Sequence, residues 1–313
     1  MSSMTALRAH HRGGPEVLTV EQAPVPAPGR GEVLIEVHAA AITFDELTWE
    51  ETWTKAGADR TPIIPSHEVS GVVAELGVGV SEIAVGDEVY GLIQFDRDGA
   101  AAEYVAVPAA DVAARHQTVS HVESAALPLA GLTAWQALVD HAKVEVGERV
   151  LVHGGAGGVG AFTVQLARDL GADVTATVRG DVADVARAFG ATHVVDTRNE
   201  AFDTAGQTYD VVVDTVGGET LERSFAVLRR GGRLVTLSAP PPEGRADEVG
   251  VEATFFIVTP DHAQLNQLAR LVDAGQLTVP IAATFPLADG RAAFESGKQR
   301  PRKPGKTVLV VRG

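Results

Sequence analysis

The sequence predicts an α/β protein in which a parallel sheet, covered by helices on both faces, accompanies an all-β, barrel-like region. Two changes of texture carry that expectation. Short strands bounded by turn residues fill the first third of the chain, and strands alternate with amphipathic helices from about residue 149 onwards. A chain of 313 residues is also long for a single hydrophobic core, which points to two domains.

In the first third, GEVLIEVHAAAI (31–42), SGVVAEL (70–76), DEVYGLI (87–93) and AAEYVAVP (101–108) are rich in Val and Ile and bounded by Gly, Pro or Asp, as short strands are. The preceding PVPAPGRGE (24–32) reads as a loop, because proline removes the ladder donor. After residue 120 the spacing becomes helical: Ala125, Leu129, Leu132, Trp135 and Leu138 recur three to four apart. Then RVLVHG (149–154), DVTATV (173–178), THVVDT (192–197), YDVVVDTVGG (209–218) and GRLVTLSA (232–239) read as strands. Helices over 159–170 and 182–191 lie between the first three of them. Such continuously apolar strands are buried on both faces, as in a parallel sheet. The Pro-rich stretch 239–250 is expected to be a surface loop. An amphipathic helix over 263–277 and a last strand over 306–311 follow. That strand is expected to return to the N-terminal β region, since the parallel sheet is already complete in sequence.

Composition excludes several classes of function. The formal net charge is −15 and the pI about 5.1, a field that repels phosphate backbones and anionic lipid. Nucleic acid and membrane surfaces are therefore not expected partners, although one local basic pocket is still allowed. Cysteine is absent, which removes disulfides, thiolate metal ligands and a cysteine nucleophile. The opening MSSMTALRAHHRGG has no apolar core of signal-peptide length, and no segment approaches the roughly 20 apolar residues of a membrane span. A cytoplasmic location is expected.

Gly155, Gly157 and Gly160 form the pattern G-x-G-x-x-G between a strand and a helix, with Gly158 and Val159 completing the loop. In such a loop the first glycine permits a tight turn and the second lets backbone approach a pyrophosphate. The third lets helix pack on strand, while the helix N-terminus supplies partial positive charge. Selectivity for NAD usually needs Asp or Glu about 20 residues later, at the end of the second strand. Thr177 stands about there, with Arg179 two residues on. A missing acid removes repulsion against a 2′-phosphate, and a guanidinium can bind one, so NADPH is the expected cofactor.

The stretch SHEVSGVVAELGVGVSEIAVGDEVYG (66–91), together with LPLAGLTAW (127–135) and GGAGGVG (154–160), resembles the medium-chain dehydrogenase/reductase superfamily. The resemblance runs over essentially the whole chain. It implies a GroES-like β-barrel domain (1–122), a Rossmann NADP-binding domain (123–276) and a C-terminal segment (277–313) returning to the first. It also implies hydride transfer in a cleft between the domains, and a homodimer. Zinc-dependent members carry Cys, His and Cys or Asp where this chain has Thr43, His67 and Leu129. One neutral donor cannot hold a catalytic zinc, which takes three protein ligands, so the resemblance narrows to the zinc-independent quinone oxidoreductase branch. His67 is then expected to be a hydrogen-bonded structural residue.

The same resemblance places Thr43 by the nicotinamide ribose, where relatives often have Asn, and makes it the candidate catalytic residue. Thr133, Leu237, Ser238 and Phe256, within FFIV (255–258), are implied to line the cofactor pocket, with Lys306 near it. Trp49 and Trp53 are candidates for walling an aromatic acceptor. Relatives often hold the 2′-phosphate with Lys and Tyr where Val182 and Thr197 stand here, leaving Arg179 and Arg198 as substitutes. The function implied is NADPH-dependent reduction of quinones or α,β-unsaturated carbonyls. An enoyl reductase of a biosynthetic pathway and a non-catalytic NADPH-binding redox sensor are the alternatives.

Overall fold

The computed structural model describes residues 2–204, 206, 208–299 and 303–312. The chain opens with β1 (Ser3–Ala9), β2 (Leu18–Pro24), β3 (Glu32–Ile42), β4 (Glu68–Leu76), β5 (Glu88–Leu92), β6 (Tyr104–Pro108) and β7 (Val112–Ala114). Helices α1 (His121–Ala125) and α2 (Pro128–Trp135) follow. The alternating part comprises β8 (Arg149–Val152), α3 (Gly160–Asp169), β9 (Asp173–Val178), α4 (Ala183–Ala188), β10 (His193–Asp196) and β11 (Tyr209–Asp214). It continues through α5 (Glu219–Ser224), β12 (Leu228–Thr236), α6 (Arg245–Val249) and β13 (Glu252–Phe255). The tail adds α7 (His262–Asp273), β14 (Ile281–Pro286), α8 (Gly290–Glu295) and β15 (Lys306–Val310).

Two compact units result, one of Met1–Leu132 with Thr259–Gly313 and the other of Thr133–Val258. In the first, a seven-stranded sheet runs in the order β14-β15-β3-β4-β5-β7, with β6 also paired to β3. β3 can serve as its centre because only Glu32, Glu36 and His38 along it are even half-exposed. Val33, Ile35 and Val37 pack there with Leu7, Val69, Val105, Val107 and Leu309. The last strand, β15, pairs antiparallel with β3 from Thr307 opposite Ile42 to Val310 opposite Ala39.

The second unit is a six-stranded parallel sheet ordered β10-β9-β8-β11-β12-β13. The strand order reverses between β8 and β11, the switch point at which open α/β sheets bind ligands beyond the strand C-termini. Phe162 and Leu166 of α3 are buried, and Leu151, Val212, Phe225 and Leu234 fill the core.

Two boundaries differ from the sequence expectation. The units divide after 132 and 258 rather than after 122 and 276. The reason is α7: the Tyr90 hydroxyl donates to the Leu265 carbonyl at 2.6 Å, and Asp273 accepts from the Gln117 and Thr118 amides. Those bonds tie the helix to the β unit. The stretch 239–250, expected as loop throughout, closes into the short helix α6, which ends at Gly250 in the left-handed region.

Candidate active site

At the C-terminal edge of the parallel sheet, the loop after β8 makes its tight turn at Gly154, which has φ +71°, one residue before the glycine pattern begins. The turn role expected of Gly155 therefore belongs to Gly154. Gly155 instead lies against the second strand, where a Cβ would come 2.6 Å from that of Ala176. At Gly160 a Cβ would run into the Gly154 carbonyl oxygen, so the third glycine closes loop onto helix. Gly157 differs. It is exposed, and a Cβ there would meet only the Gly154 oxygen, at 3.1 Å. The amides of Gly158 and Val159 have no acceptor among the described residues. Two free donors at the start of a ten-residue helix, beside a face without side chain, fit a pyrophosphate.

His153 anchors this loop from below. Its ring lies 3.1 Å from Thr177 Oγ1 through Nδ1 and 3.0 Å from Ser224 Oγ through Nε2, and burial pushes its pKa down to about 3. Thr177 Oγ1 also accepts from the Gly154 amide at 3.2 Å. Thr177 is thus a buried strut, 3% exposed, and does not stand in the ribose slot as counting from the glycines suggested. The first exposed side chain after β9 is Arg179, with no ion pair or hydrogen bond among the described residues. Arg198, the other proposed phosphate donor, is committed to Asp181 and Asp196 at 2.8 and 2.7 Å. Those guanidinium bonds hold the Asp196 carboxyl down at about 2. Val182 precedes α4, and the Thr197 hydroxyl donates to the Val178 carbonyl.

The loops after β11, β12 and β13 lie on the same strand edge. Buried Asp214 accepts from the Val216 and Gly217 amides at 3.0–3.1 Å, and the neighbouring Thr236 hydroxyl donates to the Ala239 carbonyl. Leu237 is half-buried and Ser238 exposed. Phe256 packs on His141 with ring centroids 4.3 Å apart and the rings tilted by 35°. Thr133 lies in α2 and is buried.

The β unit gathers a different set. Thr43 follows β3, and its hydroxyl accepts from Lys306 Nζ at 3.2 Å. Lys306 Nζ also lies 2.5 Å from Glu68 Oε2, as an ion pair rather than an aligned hydrogen bond. Glu68 Oε1 accepts from the Leu129 amide at 3.0 Å. Burial pushes the Glu68 carboxyl up, and the ammonium beside it opposes the shift. Lys306 is therefore engaged within this unit. Nearby Glu46 is 1% exposed; it accepts from the Ser66 amide at 2.9 Å, and burial raises its pKa to about 8. That contact holds Ser66, a non-glycine residue at φ +74°.

His67 is buried beside Trp49 and Phe95, with ring centroids 6.5 and 5.3 Å away. Neither ring nitrogen makes a hydrogen bond of ordinary geometry among the described residues, so the expected hydrogen-bonded histidine is not found there. Burial pushes its pKa down to about 3, only weakly offset by the Gln94 backbone. Trp53 does not join this aromatic group. It is 2% exposed, donates from its indole to the Leu47 carbonyl, and backs a separate cavity of about 610 Å³ lined by Arg12, Glu16, Phe44 and Lys298. Glu46, Glu68, His153, Gly154 and Asp214 were not singled out from sequence. Only Glu68, beside His67 in the quoted motif, and Gly154, beside Gly155, carried a local signal.

The residues fit a dinucleotide but not a catalytic zinc. Thr43 and Leu129 offer no nitrogen or carboxylate donor, and no three His, Cys, Asp or Glu side chains among the described residues are grouped to hold a metal. No helix among them is long and apolar enough to cross a membrane. The model of the alcohol dehydrogenase GroES-like domain matches residues 29–117, and that of zinc-binding dehydrogenases matches 189–309. A probable zinc-binding oxidoreductase, mitochondrial, of Arthroderma benhamiae is 31% identical over 94% of this chain and 93% of its own. A 2-haloacrylate reductase of Burkholderia sp. is 30% identical over 93% and 95%. The solved quinone oxidoreductase of Coxiella burnetii superposes with a TM-score of 0.89 at 30% identity, over 99% of this chain and 100% of that one. With its GroES-like β unit and Rossmann unit, and with relatives that are oxidoreductases, this chain belongs to the medium-chain dehydrogenase/reductase superfamily.

Proposed function

We propose that this chain is an NADPH-dependent reductase of quinones or α,β-unsaturated carbonyls that works without zinc. The observation that carries the reading is the donor set: with Thr43 and Leu129 at two of the three ligand positions, His67 is a lone neutral donor. Without a Lewis acid, acceptors that are already conjugated take hydride more readily than alcohols give it up. The 2-haloacrylate reductase is named for a conjugated C=C substrate, in line with this reading.

Bound NADPH would supply the hydride. The Gly158 and Val159 amides would bind the pyrophosphate, with Gly157 leaving it room while Gly155 and Gly160 pack the loop, and Arg179 would read the 2′-phosphate. Leu237, Ser238 and Phe256 would line the nicotinamide side, and Trp49 with Phe95 would offer the acceptor an apolar face. A homodimer in the cytoplasm completes the proposal; β13 is an edge strand, followed by Ile257 at 56% exposure.

The test follows NADPH absorbance with chelator-treated protein and a panel of quinones, alkenals, enones and an enoyl thioester. At least one acceptor is expected to take the label from stereospecifically deuterated NADPH, with zinc far below stoichiometric. Turnover of the thioester alone would favour the enoyl reductase. Inertness throughout would favour a sensor that binds NADPH without turnover, and stoichiometric zinc with loss of activity on chelation would overturn the zinc-free reading.

A further inference from the structure

We propose that Thr43 Oγ delivers the proton that follows hydride transfer, with Lys306 resupplying it and Glu68 holding Lys306 in place. The inference rests on the reductase reading and adds to it the source of the proton.

Three strand ends bring the groups together. β15 begins at Lys306, and its next residue, Thr307, pairs with Ile42, the residue before Thr43. On the other side of β3, Glu68 opens β4 and pairs with Ala41. The register of β15, β3 and β4 therefore sets Lys306 Nζ 3.2 Å from Thr43 Oγ1 and 2.5 Å from Glu68 Oε2. The Lys306 and Glu68 side chains are 7% and 1% exposed, whereas Thr43 is only half-buried. An ammonium has no lone pair, so Thr43 Oγ must be the acceptor in their bond. Its own hydrogen turns elsewhere, and no described residue accepts it. A hydroxyl whose proton is unclaimed, backed by a buried cation, is built to give that proton away.

The step balances. Hydride addition to the β-carbon leaves an electron pair on the conjugated oxygen of the acceptor. The Thr43 O–H bond breaks towards Oγ as the proton bonds to the α-carbon or, in a quinone, to oxygen. A Lys306 N–H bond breaks towards nitrogen and re-forms the threonine O–H. Lys306 then regains a proton from water after product leaves, and no residue changes oxidation state.

The test compares Thr43→Val with Thr43→Ser, reading kcat, NADPH affinity by fluorescence titration, and isotope effects from D₂O and from deuterated NADPH. Thr43→Val should lower kcat on the order of 100-fold, far more than it weakens NADPH binding. The D₂O effect should rise and the NADPH effect shrink, because proton delivery becomes limiting; Thr43→Ser should restore all three. Lys306→Met alone would strand a buried carboxylate and endanger folding, so the double variant K306M/E68Q removes both charges together. It should show the same isotope pattern. In wild-type protein without cofactor, NMR of the lysine ammonium groups should show a slowly exchanging signal, absent from the double variant and displaced in Thr43→Val. Unchanged isotope effects in Thr43→Val, failure of serine to rescue, or an unmoved ammonium signal would overturn the inference and leave the reductase reading intact. A wild-type protein inert across the acceptor panel would overturn both.

Discussion

Arg179 and Arg198 lie within one stretch of surface, yet only Arg179 has its guanidinium free of carboxylates among the described residues. A charge-assisted contact of the kind Arg179 would make to a 2′-phosphate contributes roughly 1.5–3 kcal/mol, or about one to two decades of affinity. Arg179→Ala is therefore expected to raise KM for NADPH by that factor and leave NADH little changed. The ratio between cofactors is the measurement that matters, since damage to the fold would harm both alike. Equal losses, or none, would mean that Arg179 does not read the phosphate. Counting from the glycine pattern leads to the end of β9, where Thr177 is buried and Arg179 is exposed. Which side chain faces outward is decided by the tie from Thr177 to His153, and that tie leaves no mark in the local pattern. Glu46 and the partnership of Lys306 with Glu68 were illegible for a similar reason. Residues 263 positions apart meet at Thr43 and Lys306 only because β15 pairs with β3.

Among elements, the alternation of strands and helices was legible because each strand's apolar run and each helix's spacing is local. The assignment of α7 was not, because the bonds holding it to Tyr90, Gln117 and Thr118 span more than 150 residues. The glycine loop shows how one pattern hides different duties. Gly160→Ala would force a Cβ into the Gly154 carbonyl, and overpacking of that kind costs about 1–3 kcal/mol. Gly157→Val adds its side chain on the exposed face, with only the Gly154 oxygen near the Cβ. Thermal melting should thus separate the two: Gly160→Ala loses several degrees, Gly157→Val close to none. NADPH titration should show at least about a tenfold loss for Gly157→Val, because the branched side chain enters the pyrophosphate's space. Unchanged affinity in that variant would place the phosphate somewhere else.

Across the whole molecule, buried titratable groups set how stability varies with pH. Burial pushes His67 and His153 down to about 3 from an ordinary 6.5. Between those values the unfolded chain binds protons that the folded one does not, so stability is lost as pH falls below about 6.5. Glu46 acts in the opposite sense, since its folded pKa of about 8 exceeds an ordinary 4.5. From 4.5 to 8 the folded chain holds a proton that the unfolded chain has released, so stability is lost as pH rises through that window. Above 6.5 the histidine contribution is constant and the Glu46 contribution persists. The net charge of −15 adds self-repulsion in the same direction, so the carboxyl has to be isolated by difference. Glu46→Gln keeps the shape and hydrogen-bonding oxygen of a protonated glutamate but cannot ionise. The stability of wild type relative to Glu46→Gln is therefore expected to fall by about 2 kcal/mol between pH 6.5 and pH 8, at about 1.4 kcal/mol per pH unit. Denaturant unfolding at each pH measures it. A difference that does not change with pH would mean that Glu46 ionises at its ordinary value despite its burial.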